Sequence, residues 1–472
     1  MADVLYHLLL LVALSVFIIP AETASKVTFH GVGVNYGQLG DNLPSPSMST
    51  EYILSLRASA VKLYDANPAI LGALRGSNLV VSIMIPNELI PSIATNQSAA
   101  DAWVSANVVP FAGSLRIRFL LVGNEILADF ASNSLWPSLV PAMKRIQRSL
   151  ESFSISGIKV STPHAMSILQ SSFPPSSGRF RSDIAGPIIR PMLDFLRRTS
   201  SIYFIDVYPY FAWSQNPSSI SLDYALFQAN STLYYQDPGS GFTYTNLLDQ
   251  MIDAVAFAME AEGFANVKIG VAETGWPNAG DLDEIGANLH NAAVYNRNLA
   301  QRVAHQRGLR TPARPDTVIP VFIFALFNEN LKPGPGTERH WGLLYPNGTA
   351  VYEIDLRGRR SPDSYPPLPP ATNNKPYTGK LWCVLAPGVA NATAVGAALS
   401  YACGQGNGTC VDIQPGGKCY QPNTVTAHAN YAFNSYWLQF RYSGGNCYFA
   451  GLAVETTVDP SYGSCIFQSK VN

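Results

Sequence analysis

Two glutamates stand where apolar runs stop. The stretch "VKIGVAETGWPNAG" (267–280) carries an apolar run up to Glu273 and then turns at Gly275, Trp276 and Pro277. The stretch "RIRFLLVGNE" (116–125) ends on Asn124 and Glu125. Two carboxyl groups facing each other in one cleft can break a glycosidic bond. One must be protonated to assist the leaving oxygen, and the other ionised to attack the anomeric carbon or activate water. Their surroundings would separate the two pKa values: apolar or negative neighbours favour the proton, donors and cations favour the carboxylate. One strand-end glutamate is equally well explained by an ion pair at the rim. Two at matched positions, with aromatic residues nearby, favour the chemistry.

Such a pair needs elements that bring distant positions together. Eight short apolar runs occur, at 26–37, 59–67, 79–87, 116–125, 157–164, 202–210, 266–277 and 318–330. Most are continuously apolar, as expected for parallel strands covered on both faces. Helical stripes lie between them. In "TNLLDQMIDAVAFAMEAEGF" one face collects Leu247, Leu248, Met251, Ile252, Val255, Ala256 and Met259, and Gly263 supplies a stop. "NAAVYNRNLAQRVAHQRG" is a second such segment. The pattern predicts an α/β fold, a (β/α)8 TIM barrel. An open doubly wound sheet is the alternative, weakened because no GxGxxG turn follows the first strand. In a barrel the strands' C-terminal ends form the active face. There the runs end on Tyr36, Tyr64 and Asp65, Asn87, Asn124 and Glu125, His164, Tyr208, Glu273, and Asn328 with Glu329. Glu125 on the fourth strand and Glu273 on the seventh would face each other across the mouth.

The 472 residues are 47% hydrophobic and only 13% charged, with a formal net charge of -1. A large core is expected, and neither nucleic acid nor an anionic membrane surface is indicated as a partner. Residues 1–25 read as a signal peptide: the apolar run Leu8–Ile19 is too short for a comfortable span and is followed by small residues. No integral membrane span is therefore expected in the mature chain. Sequons at Asn96, Asn230, Asn347, Asn391 and Asn407 fit a secreted, extracellular or cell-wall protein. A monomer is the default oligomeric state.

All six cysteines, Cys383, Cys403, Cys410, Cys419, Cys447 and Cys465, fall in the last ninety residues. Residues 26–356 are read as the catalytic domain, the proline-rich 357–380 as an extended linker, and 381–472 as a small disulfide-rich α+β domain. Three disulfides are expected there, and counting alone allows any of fifteen pairings. No CxxC pair occurs and His428 is the only histidine of the segment, so no metal site is expected. In "ANYAFNSYWLQF" the spacing of Tyr431, Tyr436 and Trp437 fits core packing better than sugar stacking.

The segments "GVGVNYGQLGDNLPSP", "KLYDAN", "VGNEIL", "STPHAMSILQSSFPPSSGRF", "VYPYFAW", "VAETGWP" and "FALFNENLKPGPGTERHWGLLYPNG" occur in order from about residue 28 to 352. They resemble the plant glucan endo-1,3-beta-glucosidases of glycoside hydrolase family 17. The segment beginning "LWCVLAPG" resembles the six-cysteine glucan-binding module, of the pollen-allergen type, found at the C-terminus of many such enzymes. The resemblance implies retaining hydrolysis of 1,3-beta-glucan by double displacement, with Glu273 as nucleophile and Glu125 as acid/base. A retaining pair stands about 5–5.5 Å apart. No metal or organic cofactor is needed. Asn124 would bind the sugar 2-hydroxyl. Glu329, Lys332 and Glu338 match a charged cluster of the cleft, with Lys332 the cation expected to keep a carboxylate ionised. Tyr36 and Tyr208 are expected to shape the subsite and hydrogen-bond the acids, and Trp276, Phe327 and Trp341 to serve as sugar platforms. The pairing implied is Cys383–Cys447, Cys403–Cys410 and Cys419–Cys465. Lys62 stands where an arginine is expected, Met84 where a smaller residue is usual, and Trp213 where a tyrosine is usual. None of the three is expected to touch the acids. The alternatives are a wall-glucan-binding protein with little turnover, and a transglycosylase on the same barrel.

Overall fold

The computed structural model describes residues 29–128 and 133–471; the expected signal peptide, residues 1–25, lies outside them. Strands β1 (Val32–Tyr36), β2 (Ala60–Leu63), β3 (Val80–Ile85), β4 (Arg116–Val122), β5 (Lys159–Ser161), β6 (Pro163–Ala165), β7 (Ile202–Asp206), β8 (Lys268–Thr274) and β9 (Val321–Ile323) form one parallel sheet. Its order is β5-β4-β3-β2-β1-β9-β8-β7-β6. The end strands β5 and β6 are one stretch of chain interrupted at Thr162, so the sheet closes into a barrel of eight staves. This is the (β/α)8 architecture expected from the eight runs.

Period-two alternation divides each strand between two cores. Ala60, Val80, Met84, Phe119, Leu121, Ile202, Phe204, Ala272 and Phe322 fill the barrel interior. Val61, Leu63, Val81, Ile83, Ile117, Leu120, Ile205, Ile269 and Val271 face the surrounding helices. Those helices include α1 (Leu247–Ala261) and α2 (Leu289–His305), the two segments whose helical stripes are quoted above. Each starts on an asparagine, Asn246 or Asn288, whose side chain accepts the backbone N–H three residues on. Among the described residues no helix is long and apolar enough to cross a membrane.

The small module has a sheet with β10 (Lys380–Leu385) between β11 (Ala453–Thr456) and β12 (Lys470–Val471). Helices α3 (Ala392–Cys403) and α4 (Val425–Phe440) pack on it. Disulfides join Cys383 to Cys447, Cys403 to Cys410 and Cys419 to Cys465. Trp437 is buried in this core, while Tyr436 is partly exposed and packs beside the exposed Tyr401. The module is seated on the barrel. Asp283 pairs with both Arg441 and Lys470, Leu282 N donates to Glu455, and Tyr448 Oη donates to Asn330 O at 2.6 Å. The proline-rich segment is extended but pinned: Asn288 and Asn291 donate to Asn373 and Asn374, and Gly286 N donates to Asn373 O.

Candidate active site

Glu273 reaches the barrel mouth because β8 is irregular. Ala272 points into the barrel, so simple alternation would send Glu273 outward and Thr274 inward. The register slips between Val271 and Thr274 against both neighbouring strands. Thr274 accordingly turns outward, to Tyr295 Oη of α2 at 2.6 Å, and Glu273 turns inward. A bulge that re-aims one side chain beside an active site is a recurrent device.

Three donors meet the Glu273 carboxylate. Lys62 Nζ donates to Oε1 at 2.7 Å, Tyr64 Oη to Oε1 at 2.6 Å, and Tyr208 Oη to Oε2 at 2.6 Å. Lys62 is fully buried and its ammonium also sits over the Tyr64 ring, 3.9 Å from the centroid. Burial acts to raise the Glu273 pKa, but the Lys62 charge and the three hydrogen bonds outweigh it and leave the group below the ordinary carboxylate range. Ala60, Lys62 and Tyr64 share one face of β2 and its extension, and Ile202, Phe204, Asp206 and Tyr208 share one face of β7. Regular alternation therefore aims the donors inward.

Glu125 enters from the opposite side. Beyond β4, Gly123 and Glu125 both have positive φ, 72° and 49°. A side chain at Gly123 would collide with Ile126 and Ile90, so only glycine fits the turn. The left-handed backbone of Glu125 is held by its own N–H donating to Pro163 O, while Asn87 binds both backbone groups of Asn124. Strain of this kind persists where neighbours over-determine it, commonly at functional sites. Burial, then the nearby Glu273 charge, raises Glu125 to about 7, with Lys62, Asp206 and Lys332 opposing. Glu125, Asp206, Tyr208, Glu273, Lys332 and Trp341 line one cleft of about 1150 Å³.

The other expected site residues divide. Lys332 and Glu338 line the cleft and pair with each other at 2.9 Å; Lys332 is not the cation on Glu273. That cation is Lys62, so the expectation that it misses the acids is corrected. Tyr36 does not bond either acid: it is buried and donates to Ser49 Oγ at 2.9 Å. Tyr64, one stave over, occupies that role. Glu329 lies behind the loop after β1, where Oε1 accepts Leu39 N at 2.7 Å; its carboxylate occupies the space that a side chain at Gly37 would need. Trp276 is not a platform. It is fully buried, donates to Gly286 O and packs on Tyr210, Trp213 and Tyr295. Phe327 is likewise buried, edge-on to Tyr36 and Tyr52. Both lie past the strand ends, with their rings in the core that surrounds the barrel. Trp341 does face the cleft, and the aromatic surface continues through Phe211 to the Phe173–Tyr235 pair, whose rings are 5.0 Å apart. His164 points away, with Nε2 at 3.2 Å from Met192 Sδ, and burial lowers its pKa to about 3. The Asn124 side-chain oxygen is buried and accepts no hydrogen bond from the described residues.

Residues 32–356 match the model of the glycosyl hydrolases family 17. The chain belongs to this family. Residues 381–454 of this family 17 glycoside hydrolase match the X8 domain. It is 50% identical over 448 residues to a probable glucan endo-1,3-beta-glucosidase, A6, of Arabidopsis thaliana, covering 95% of this chain and 92% of that one. A glucan endo-1,3-beta-D-glucosidase of Olea europaea is 39% identical over 442 residues, 93% of this chain and 94% of that one. Among solved structures, a beta-1,3-glucanase and allergen of Cryptomeria japonica pollen superposes with a TM-score of 0.65 at 38% identity, over 69% of this chain and 99% of that one. One of two plant beta-glucan endohydrolases gives 0.63 at 35% identity, over 69% of this family 17 chain and 100% of the other.

Proposed function

We propose that this enzyme cleaves internal 1,3-beta-glucosidic bonds of 1,3-beta-glucans with retention of configuration. Glu273 attacks the anomeric carbon while Glu125 protonates the leaving oxygen; Glu125 then takes a proton from the water that releases the glycosyl-enzyme. One observation carries the assignment. In a single cleft, one carboxylate is held ionised by a cation and two phenols, and the other acid is pushed up to about 7. The Asn124 side-chain oxygen, which accepts nothing from the described residues, is an acceptor available to the sugar 2-hydroxyl. The aromatic wall from Trp341 to Phe173 suits several consecutive glucose rings, which an endo-acting enzyme must hold. The seated X8 domain supports capture of insoluble glucan by raising its local concentration. Disulfides and sequons support secretion to the cell wall.

The test is digestion of a linear 1,3-beta-glucan, with products sized and their anomers followed by proton NMR. Oligosaccharides of mixed length whose new reducing ends appear first as the β-anomer are expected. Glucose alone, an initial α-anomer, or net lengthening of short oligosaccharides would refute the proposal. The pH dependence follows from the same two groups. Activity requires Glu273 ionised and Glu125 protonated. Glu273 titrates below the ordinary carboxylate range, so kcat/KM should stay high in mild acid. It should fall as pH rises through about 7, where Glu125 loses its proton. A plateau extending well into alkali would count against Glu125 as the acid.

A further inference from the structure

Asp206 is the buried acid that the two-step mechanism leaves without a task. It closes β7, in register with Glu273 of β8 on one side and Ala165 of β6 on the other, and it lines the cleft. No amide, hydroxyl or amino group among the described residues donates to either of its oxygens. Its hydrogen-bonding neighbour is the carboxyl of Glu125. Two carboxyl groups share a hydrogen bond only when one of them carries a proton.

The surrounding charges decide where that proton lies. Glu273 on β8 and Glu125 beyond β4 both face Asp206, and Lys62 on β2 is the cation that acts on it. Lys332 acts on Glu125 from the far wall, and Glu329 acts on Glu273 from behind β1. The phenols of Tyr64 and Tyr208 share the space, and both give their hydrogen bonds to Glu273. His164 on β6 is turned away. Lys62 therefore balances one negative charge, and its contact places that charge on Glu273. A second and third carboxylate in the same buried space would be uncompensated, so Asp206 and Glu125 hold protons. Burial, followed by the charges of Glu273 and Glu125, lifts Asp206 well above the ordinary range.

On the reading of Glu125 as acid/base, we propose that Asp206 is a positioning residue, a protonated carboxyl that donates to Glu125 and steadies the Glu125 carboxylate formed when the leaving oxygen takes its proton. In the first step the Glu125 proton goes to the glycosidic oxygen while Glu273 becomes an ester. The one negative charge of the cluster thereby passes from Glu273 to Glu125. Asp206 keeps its own proton throughout. In the second step water returns a proton to Glu125 and its oxygen bonds the anomeric carbon, freeing Glu273.

The experiment compares Asp206→Asn and Asp206→Ala by kcat, KM and pH profile on linear 1,3-beta-glucan, with infrared spectra of the protonated-carboxyl stretch across the same pH range. Asparagine keeps a donor, so its activity should stay within about three-fold of wild type and its alkaline limb should not move. Alanine removes the donor. Its kcat should fall about ten-fold with KM little changed, and its alkaline limb should rise by about one pH unit. The wild-type infrared band should persist above the pH at which Glu125 ionises and vanish in Asp206→Asn. A downward shift of the limb in Asp206→Asn would show that Asp206 was a charge repelling Glu125, and would overturn the proposal. So would profiles unchanged in both variants. If Asp206→Ala fails to fold by circular dichroism, the asparagine profile and the infrared band still decide. Glu125→Gln, assayed in parallel, separates the two layers: full activity there would overturn the acid/base reading and this inference with it, whereas a loss there with an unmoved Asp206 series would overturn this inference alone.

Discussion

Glu273→Gln loses roughly 10⁴-fold or more of kcat on 1,3-beta-glucan while the fold, followed by circular dichroism, is unchanged. The amide is nearly isosteric; its oxygen still accepts from one of the two phenols, Tyr64 or Tyr208, and its NH2 donates to the other once that hydroxyl turns, so the cleft keeps its shape. It cannot form the ester, and it leaves Lys62 facing a neutral group. The smaller Glu273→Ala goes further: it opens a hole on the face of the sugar away from the leaving group. A small anion such as azide entering that hole should restore part of the activity and yield an α-configured glycosyl azide. Azide acting with Glu125→Ala, where the nucleophile survives, should yield the β-configured product instead. Identical products from the two variants, or residual activity within ten-fold of wild type in Glu273→Gln, would remove Glu273 from the mechanism.

Lys62→Met is expected to cost about 10²–10³-fold in kcat/KM near neutral pH, equivalent to about 3–4 kcal/mol. Methionine fills much the same buried volume, so the loss is electrostatic. Glu273 then keeps its burial, which favours the proton, and loses the cation and one of its hydrogen bonds, which favour the carboxylate. Its pKa rises, and the acid limb of the pH profile moves upward. Lys62→Arg restores a cation and should recover most of the activity, since the family resemblance expects arginine here; its wider, planar head need not reproduce the 2.7 Å contact. Equal losses in methionine and arginine, with no movement of the acid limb, would assign Lys62 to packing alone.

Much of this site was legible along the chain, and the misses have physical causes. Glu125 and Glu273 stood out because each ends an apolar run, and the alternation of β7 would also have exposed Asp206, which shares the inward face of Ile202, Phe204 and Tyr208. Along the chain Asp206 is inconspicuous, because it lies within the apolar run 202–210 and not at its end. Lys62 reads along the chain only as a departure from an expected arginine that does not touch the acids, since a lone lysine is exposed far more often than buried. Its inward direction follows only once Ala60 and Tyr64 are known to face the barrel. Trp276 and Phe327 misled because residue type says nothing about which side of a turn a ring falls on. Trp276 meets Tyr210 and Trp213, and Phe327 meets Tyr36 and Tyr52, all remote along the chain, and the fold chose between sugar and core.

Eight apolar runs of strand length, helical stripes between them and cysteines confined to one end determined a barrel with a stapled module, because periodicity and composition are properties of the chain itself. The direction of the two acids was decided only in three dimensions. Glu273 needs a register slip between staves, and Glu125 needs a left-handed turn clamped by Asn87 and Pro163. Both are local distortions that cost free energy in isolation and survive because packing from distant strands holds them.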